Sequence, residues 1–409
     1  MRRLILSCLL TTRVLVSYAQ ILTIKDKENN EPLDLVTLYS EAPRATAMTN
    51  SSGMADISEF EGADKIEVRL VGYNRIVSSY AELAAGDRVL VMEPSNISLD
   101  QVVVSASKWS QSTRDVPVHI ATITPKDAAL LNPQTAADLL GGSGQVFIQK
   151  SQQGGGSPMI RGFATNRLLL TVDGVRMNTA IFRGGNLQNV ISLDPFATEN
   201  TEVFFGPGSV IYGSDAIGGV MSFTTLTPHL SLTDETLTKG SAASRFSSAN
   251  SEKTAHLDFN VGWKKWSSVT SFSYNGYGDL RMGTKGPDDY LRPFYVQRID
   301  SVDRVVTNDN PLVQRPSGYQ QTNMMQKLRF APNKRWDVVY AFHYSETSDY
   351  ARYDRHIRYK KGLPRYGEWS YGPQKWMMNN LTTSYTTNTG LFDQVTLRLA
   401  HQFFEESRI

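Results

Sequence analysis

The sequence predicts a mainly β chain in three parts: a small β-sandwich, a compact α+β domain, and an incomplete antiparallel transmembrane β-barrel. Three observations carry this. Short apolar runs separated by turn residues fill residues 20–94. Helical and extended stretches mix between residues 118 and 228. From 229 to 409 apolar residues take alternate positions in long segments, joined by short turns and by long polar loops.

Length and composition set the outer limits. A chain of 409 residues exceeds one ordinary domain. Its 42 Lys+Arg against 40 Asp+Glu give a net charge of +2, so no nucleic-acid partner is expected. Residues 1–19 join Arg2 and Arg3 to an apolar stretch ending in Ser17-Tyr18-Ala19, the pattern of a secretory signal peptide. Cys8, within that stretch, is the one cysteine of the chain. The mature protein is therefore expected to have no disulfide, thiolate metal site or cysteine nucleophile. No later segment has eighteen consecutive apolar residues. An exported chain of this kind is either soluble or a β-barrel, whose strands hide from hydropathy because every second residue faces the lumen.

Residues 20–94 read as strands at "ILTIKD", "DLVTLYS", "KIEVRLVGY" and "RVLVMEP", separated by turn residues such as Asn29-Asn30 and Ser51-Ser52-Gly53. With "EPLDLVTLYS", "TNSSGMADI" and "KIEVRLVGY" this part resembles the carboxypeptidase-regulatory-like, transthyretin-like domain. It holds no histidine, so a zinc-peptidase site is excluded there. Residues 95–117 are polar around one β-prone core, Gln101 to Ser105, and read as a linker with a single strand. In 118–228, "PQTAADLL" is expected to be a helix opened by Pro133 and stopped at Gly141-Gly142. "QVFIQKS", "SPMIRGF", "RLLLTVDGVRM", "TEVFFGP" and "GGVMSFTTL" are expected strands.

Beyond 228, Ala255, Leu257, Phe259 and Val261 alternate with polar neighbours, as do Leu328 with Phe330 and Val395, Leu397 and Leu399. "APNKR" and "NTGLFD" are short turns, whereas about 276–320 and 346–373 are long polar loops. Period two is shared by a soluble sandwich with one wet face; strand length and loop asymmetry favour the barrel. Trp263, Trp266, Tyr274, Tyr277, Trp336 and Tyr340 are candidates for interfacial aromatic girdles.

The glycine-rich motifs carry no recognisable catalytic or nucleotide site. "GPGSVIYG" has Ile211 where a dinucleotide loop needs its third glycine, and "GGSGQ" lacks the Gly-Lys-Ser/Thr of a phosphate loop. There is no Gly-x-Ser-x-Gly and no His-Glu-x-x-His, so no enzyme, cofactor or metal site is expected.

"SPMIRGF", "RLLLTVDGVRMN" and "TEVFFGPGSVIYGSDAIGGVMSF" resemble the plug domain of TonB-dependent outer-membrane receptors. The resemblance is close over roughly 95–228 and one of texture beyond. It assigns structural roles to Arg161, Gly162, Asp173, Gly174, Gly206, Pro207, Ser209, Tyr212, Gly213, Gly218 and Gly219. A plug fills a barrel lumen, and glycines let its backbone turn sharply and lie close to the wall. Arg161 and Arg176 are then expected to pair with acidic groups on that wall. "LDQVVVSAS" resembles the TonB box, with Asp100, Gln101, Val102, Val103 and Val104 as the strand that would add to TonB's sheet edge. The alternative is that they extend a neighbouring sheet. Loops "QQGGGS" and "IFRGGNLQN" would be the outward apices, with Gln152, Arg183 and Asn186 as candidate ligand contacts.

The resemblance implies a receptor in the Gram-negative outer membrane, its N-terminal domain in the periplasm. Its partners would be TonB with the inner-membrane energising complex, outer-membrane lipid and a small-molecule ligand. It implies active uptake of a scarce nutrient, an iron chelate or haem. His356, in a long loop, is the candidate haem ligand. The alternatives are a SusC-like oligosaccharide importer, whose plugs usually carry Leu-Lys-Asp-Ala where "GPGSVIYG" stands, and a surface binding or signalling receptor. The expected division is signal peptide 1–19, sandwich 20–94, linker with TonB box 95–117, plug 118–228 and first barrel strands 229–409. The residues after 228 are too few for 22 strands of roughly ten residues, so a truncated barrel is expected.

Overall fold

The computed structural model describes residues 20–27, 29–70, 72–85, 87–94, 102–103, 111–112, 116, 118–164, 167–177, 189–387 and 391–409. The expected signal peptide and most of the expected linker lie outside them. The chain divides into two compact units, Met1–Gln101 and Val102–Ile409.

In the first unit, β1 (Ile21–Asp26), β2 (Thr37–Glu41), β3 (Arg44–Met48), β4 (Met54–Asp56), β5 (Ile66–Arg69), β6 (Ile76–Ser78), helix α1 (Tyr80–Ala84) and β7 (Val89–Met92) follow in order. They form two sheets, β4-β1-β7 and β3-β2-β5-β6. Alternation within β1 buries Leu22 and Ile24, and they meet Leu38, Phe60, Ile66 and Val68 in one core. β3, β4 and β6 have only one or two core-facing apolar residues each, too short an alternation to read from sequence.

The second unit opens with a two-residue pairing of β8 (Val102–Val103) with β9 (Gln111–Ser112). The α+β domain follows: β10 (Ile120–Ile123), α2 (Pro125–Leu131), α3 (Ala136–Gly142), β11 (Phe147–Gln149), β12 (Ser157–Ile160), β13 (Phe163–Ala164), β14 (Leu168–Val172), β15 (Val175–Arg176), β16 (Thr198–Phe204), α4 (Ser209–Tyr212) and β17 (Gly219–Thr225). The helix expected from "PQTAADLL" starts later than Pro133. Thr135 is its N-cap and makes a capping box with Asp138, which satisfies the free amides of the first turn. Thr124 and Asp127 repeat the device on α2. The sheet order is β10-β16-β17-β14-β15. β14 and β17 run parallel, and the remaining pairs are antiparallel. The fully buried β14 is a continuous apolar run but for Thr171, as a central strand requires.

The third part is a meander of long strands. β18 (Leu237–Ser247), β19 (Glu252–Gly262) and β20 (Trp266–Tyr277) lead into a long loop holding β21 (Leu280–Arg281), β22 (Phe294–Ile299), β23 (Val302–Thr307) and β24 (Val313–Gln314). β25 (Tyr319–Asn333) and β26 (Trp336–Thr347) follow. The second long loop holds β27 (Tyr350–Ala351), α5 (Tyr353–His356), β28 (Tyr359–Lys360) and β29 (Leu363–Pro364), before β30 (Ser370–Thr386) and β31 (Gln394–Arg408). The seven long strands pair in chain order, each antiparallel to the next. Both long loops lie at one end of the sheet, and the short turns 263–265 and 334–335 lie at the other.

The polarity of this sheet is the reverse of a soluble one. The register lines up Leu257, Phe272, Met324, Tyr344, Met377 and Phe403 across six strands on the outer face. Leu257 is 53% and Phe272 47% exposed. The opposite face buries Thr254, His256, Ser271, Ser273, Asn323 and Lys327. A soluble sandwich would bury the first set and expose the second. Lipid on the outer face resolves the alternation in favour of a barrel wall. Polar side chains on the outer face satisfy one another there: Thr270 Oγ1 donates to Gln326 Oε1 at 2.6 Å and Gln326 Nε2 to Ser268 Oγ at 2.8 Å.

Trp263, Trp266 and Trp336 are exposed beside the short turns, a girdle at that end. Tyr277 departs from the expected girdle. It is buried at the long-loop end, stacks on Tyr319 with centroids 4.8 Å apart, and donates to the Gln134 carbonyl at 2.9 Å.

Candidate functional site: the seam between the α+β domain and the wall

The buried polar face of the long sheet is covered by the α+β domain. Two tight hairpins aim that domain. Arg161-Gly162 and Asp173-Gly174 each form a two-residue turn with positive φ at both positions (48° and 83°; 48° and 75°). Such mirror-image turns match the right-handed twist of the flanking strands.

The second turn carries the strongest attachment to the wall. The Asp173 carboxylate accepts from Thr225 N at 2.9 Å and Thr225 Oγ1 at 2.8 Å. From the wall it receives Lys327 Nζ (β25) at 2.9 Å and lies 3.2 Å from His343 Nε2 (β26). Lys327 Nζ also donates to the Thr225 carbonyl at 3.1 Å. Burial pushes the Asp173 carboxyl up, but the Lys327 ammonium and His343 outweigh it and hold the group well below the usual carboxylate range. A second contact joins Asp194 to Ser273 of β20 at 2.6 Å, with His256 Nδ1 on the same hydroxyl at 2.7 Å. Burial raises the Asp194 carboxyl.

Further contacts tie the domain along the wall. Arg245 Nη1 donates to the Pro133 carbonyl at 2.9 Å, and Gln134 Nε2 to Glu252 at 2.6 Å. Gln374 Nε2 donates to Ser192 Oγ at 3.1 Å, and Gln402 Nε2 to the Arg176 carbonyl at 2.8 Å.

These contacts correct the expected pairing. Arg161 lies over the Phe205 ring, 5.6 Å from its centroid, and Arg176 pairs with Asp215 inside its own domain. Across the described seam the main ion pair runs the other way, with the acid on the domain and the base on the wall. Sequence reasoning missed Lys327 and His343 as its partners. The available signal was a charged residue on the polar phase of an alternating strand, opposite the outward Leu328.

The glycine motif joins the neighbouring strands β16 and β17. Gly206 and Pro207 leave β16, Ser209 opens the single turn of α4, and Gly213 ends it with φ 82°. Burial and Glu202 push the Tyr212 hydroxyl up to about 12. The one-turn helix was not expected; four residues are too few to show a period. Gly218 and Gly219 explain the Gly-Gly pair. A Cβ at Gly218 would lie 2.3 Å from Phe163 Cβ, and one at Gly219 2.6 Å from the Phe204 carbonyl oxygen. Gly218→Ala is therefore expected to cost about 1–3 kcal/mol. Urea unfolding of the purified protein would measure it, and an unchanged midpoint would refute the close packing.

Gln152 is buried within its own loop, its Nε2 donating to the Gly154 carbonyl at 3.1 Å. Its neighbour Gln153 makes the contacts to the loop ends, donating to the Gly278 carbonyl at 3.1 Å and accepting from Asn250 at 3.2 Å. Arg183 and Asn186 lie outside the described residues, as do Asp100, Gln101 and Val104. His356 is neither solvated nor free to ligate through Nε2, which donates to the Trp369 carbonyl at 3.1 Å. Burial lowers its pKa. Among the described residues no cluster of His, Cys, Asp and Glu is placed to hold a metal, and no helix is long and apolar enough to cross a membrane.

The comparisons agree with this geometry. The family described as TonB-dependent Receptor Plug Domain matches residues 112–220. A Vitamin B12 transporter BtuB of Vibrio vulnificus (strain YJ016) is 37% identical over 131 residues, 31% of this chain and 21% of the relative. A Hemin receptor of Yersinia pestis is 31% identical over 130 residues, 32% of this chain and 19% of the relative. The chain thus spans a minor part of the curated relatives it matches. Among solved structures, the Copper transporter OprC aligns with TM-score 0.51 at 15% identity, over 70% of this chain and 37% of that one. A chain of the FpvAI-pyocin S2 complex aligns with TM-score 0.51 at 13% identity, over 85% of this chain and 43% of that one. Residues 112–220 thus match the plug domain of TonB-dependent receptors, and the wall strands turn their polar face to that domain.

Proposed function

We propose that the protein takes up a scarce nutrient across the outer membrane with energy delivered by TonB, and that the nutrient is an iron chelate or haem. The observation that carries this is the buried, hydrogen-bonded seam between plug and wall. A plug held by many separable polar contacts closes the lumen at rest and can be rearranged by force. Relatives that act on vitamin B12 and on hemin support a metal-bearing cargo. The reading keeps the division into signal peptide 1–19, periplasmic sandwich 20–94, linker 95–117, plug 118–228 and barrel strands from 229. Outward plug apices with Arg183 and Asn186 would meet the ligand, without Gln152, whose amide is buried against its own loop.

The TonB contact is assigned to Asp100–Val104. Val102 and Val103 are extended and pair with Ser112 and Gln111, which supports a strand of the kind that β-augmentation needs. Proline at Val102 or Val103 removes a backbone donor and should block such pairing. In cells, either variant is expected to bind haemin or a ferric catecholate at the surface as before, while energised accumulation falls to background. Accumulation at the unaltered rate would reject the assignment.

A further inference from the structure

Resting on the uptake reading, we infer that the cargo is anionic. It crosses along the seam facing β25–β31, where Lys327 and Arg398 receive it and Asp173 serves as the plug's own exchangeable anion.

The first observation is the distribution of charge over the long loops. Residues 348–369, between β26 and β30, hold six Lys/Arg and three Asp/Glu. Residues 278–318, between β20 and β25, hold six of each. The basic excess is therefore local to one sector of the loop end. A concentrated positive surface draws anions and raises their local concentration.

The second observation lies beneath the same strands. A cavity of about 260 Å³ opens between plug and wall, lined by Asp173, Tyr212, Lys327, Asn380, Thr382 and Arg398 among others. Asp173 is the single acidic group in its lining. Lys327 and Arg398 come from the wall. Arg398 Nε donates to Thr382 Oγ1 at 3.2 Å and Nη1 to the Gly174 carbonyl at 3.4 Å. Among the described residues no carboxylate lies within ion-pair distance of it.

The third observation is how Lys327 is held. It is 4% exposed, and a buried ammonium needs a counter-ion. At rest Asp173 supplies one, from the tip of a two-residue turn. Withdrawing that turn would strand Lys327 unless another anion takes its place. A carboxylate, catecholate or similar group on the cargo can do so, keeping the wall cation paired throughout the exchange. A neutral corrinoid or a neutral oligosaccharide offers no such replacement.

The test is energised uptake by cells producing the protein, with haemin, a ferric tris-catecholate, cyanocobalamin and maltoheptaose as probes. Accumulation is expected for an anionic probe. Lys327→Gln with Arg398→Gln should lower that uptake roughly tenfold or more while surface binding changes less than about twofold. Lys327→Arg should restore most of it. Arg398→Gln alone leaves the buried Lys327–Asp173 pair intact and should still slow uptake several-fold. Unaltered anionic uptake in both glutamine variants overturns the inference. So does accumulation confined to cyanocobalamin or maltoheptaose, which leaves the uptake reading standing. Surface binding of the ferric tris-catecholate without energised accumulation of any probe overturns the uptake reading and the inference with it.

Discussion

Lys327→Met is expected to weaken the docking of plug to wall by about 3–5 kcal/mol, because it leaves the Asp173 carboxylate buried without its ammonium. The double variant Asp173→Asn, Lys327→Met should recover most of that loss, since an apolar or neutral replacement of both partners carries no stranded charge. The pH dependence separates this cause from general damage. In the wild type the Asp173 carboxyl is depressed below its unfolded value. Its contribution is then complete above about pH 4 and is lost only as pH falls through the lower folded value. In Lys327→Met burial dominates and the Asp173 carboxyl moves up. The penalty of the variant should therefore shrink as the medium is acidified, opposite to the wild-type trend. Urea unfolding of the lipid-folded protein from about pH 2 to about pH 8 measures both effects. A Lys327→Met midpoint equal to wild type at neutral pH would show that the pair holds nothing.

The second large effect is expected on the other face of the wall. Phe272→Arg places a guanidinium in the middle of the apolar row between Leu257 and Met324. At the depth of the bilayer midplane this should cost about 2–4 kcal/mol. The same substitution at an outward site beside the aromatic girdle, such as Trp336→Arg, should cost about 0–1 kcal/mol, because a long cation there reaches the headgroups. Folding into lipid vesicles of a defined thickness provides the comparison. Equal costs at the two depths would mean that no membrane surrounds this face.

Much of the architecture was legible because it rests on periodicity and on turn chemistry. The alternation of Leu257 and Phe259 with polar neighbours located β19, whereas "RLLLTVDGVRM", read as one strand, is a hairpin that turns at Asp173-Gly174. Alternation alone could not say which face was wet. That required knowing that His256, Ser273 and Lys327 are buried while Leu257 and Phe272 are not. The plug motif was legible as a motif, yet its electrostatics were read with the wrong sign. Arg161 and Arg176 stood out as cations, but their partners, Phe205 and Asp215, lie within the plug. The wall partners of Asp173 come from strands more than a hundred residues away, a separation that no local pattern encodes. His356 was misread for a related reason. Its burial depends on how a long loop folds back on Trp369, which is a tertiary fact.

The central claim is that the long sheet presents its apolar face to lipid and its polar face to the plug. It is tested most directly by a nitroxide scan of residues 267–275 on β20, after replacing Cys8, in the protein folded into bilayers. The account predicts period two. Labels at 268, 270, 272 and 274 should collide with dissolved oxygen and be shielded from a water-soluble nickel complex, whereas labels at 267, 269, 271, 273 and 275 should be shielded from both. Nickel accessibility at Phe272 and Tyr274, or no alternation along the strand, would contradict it.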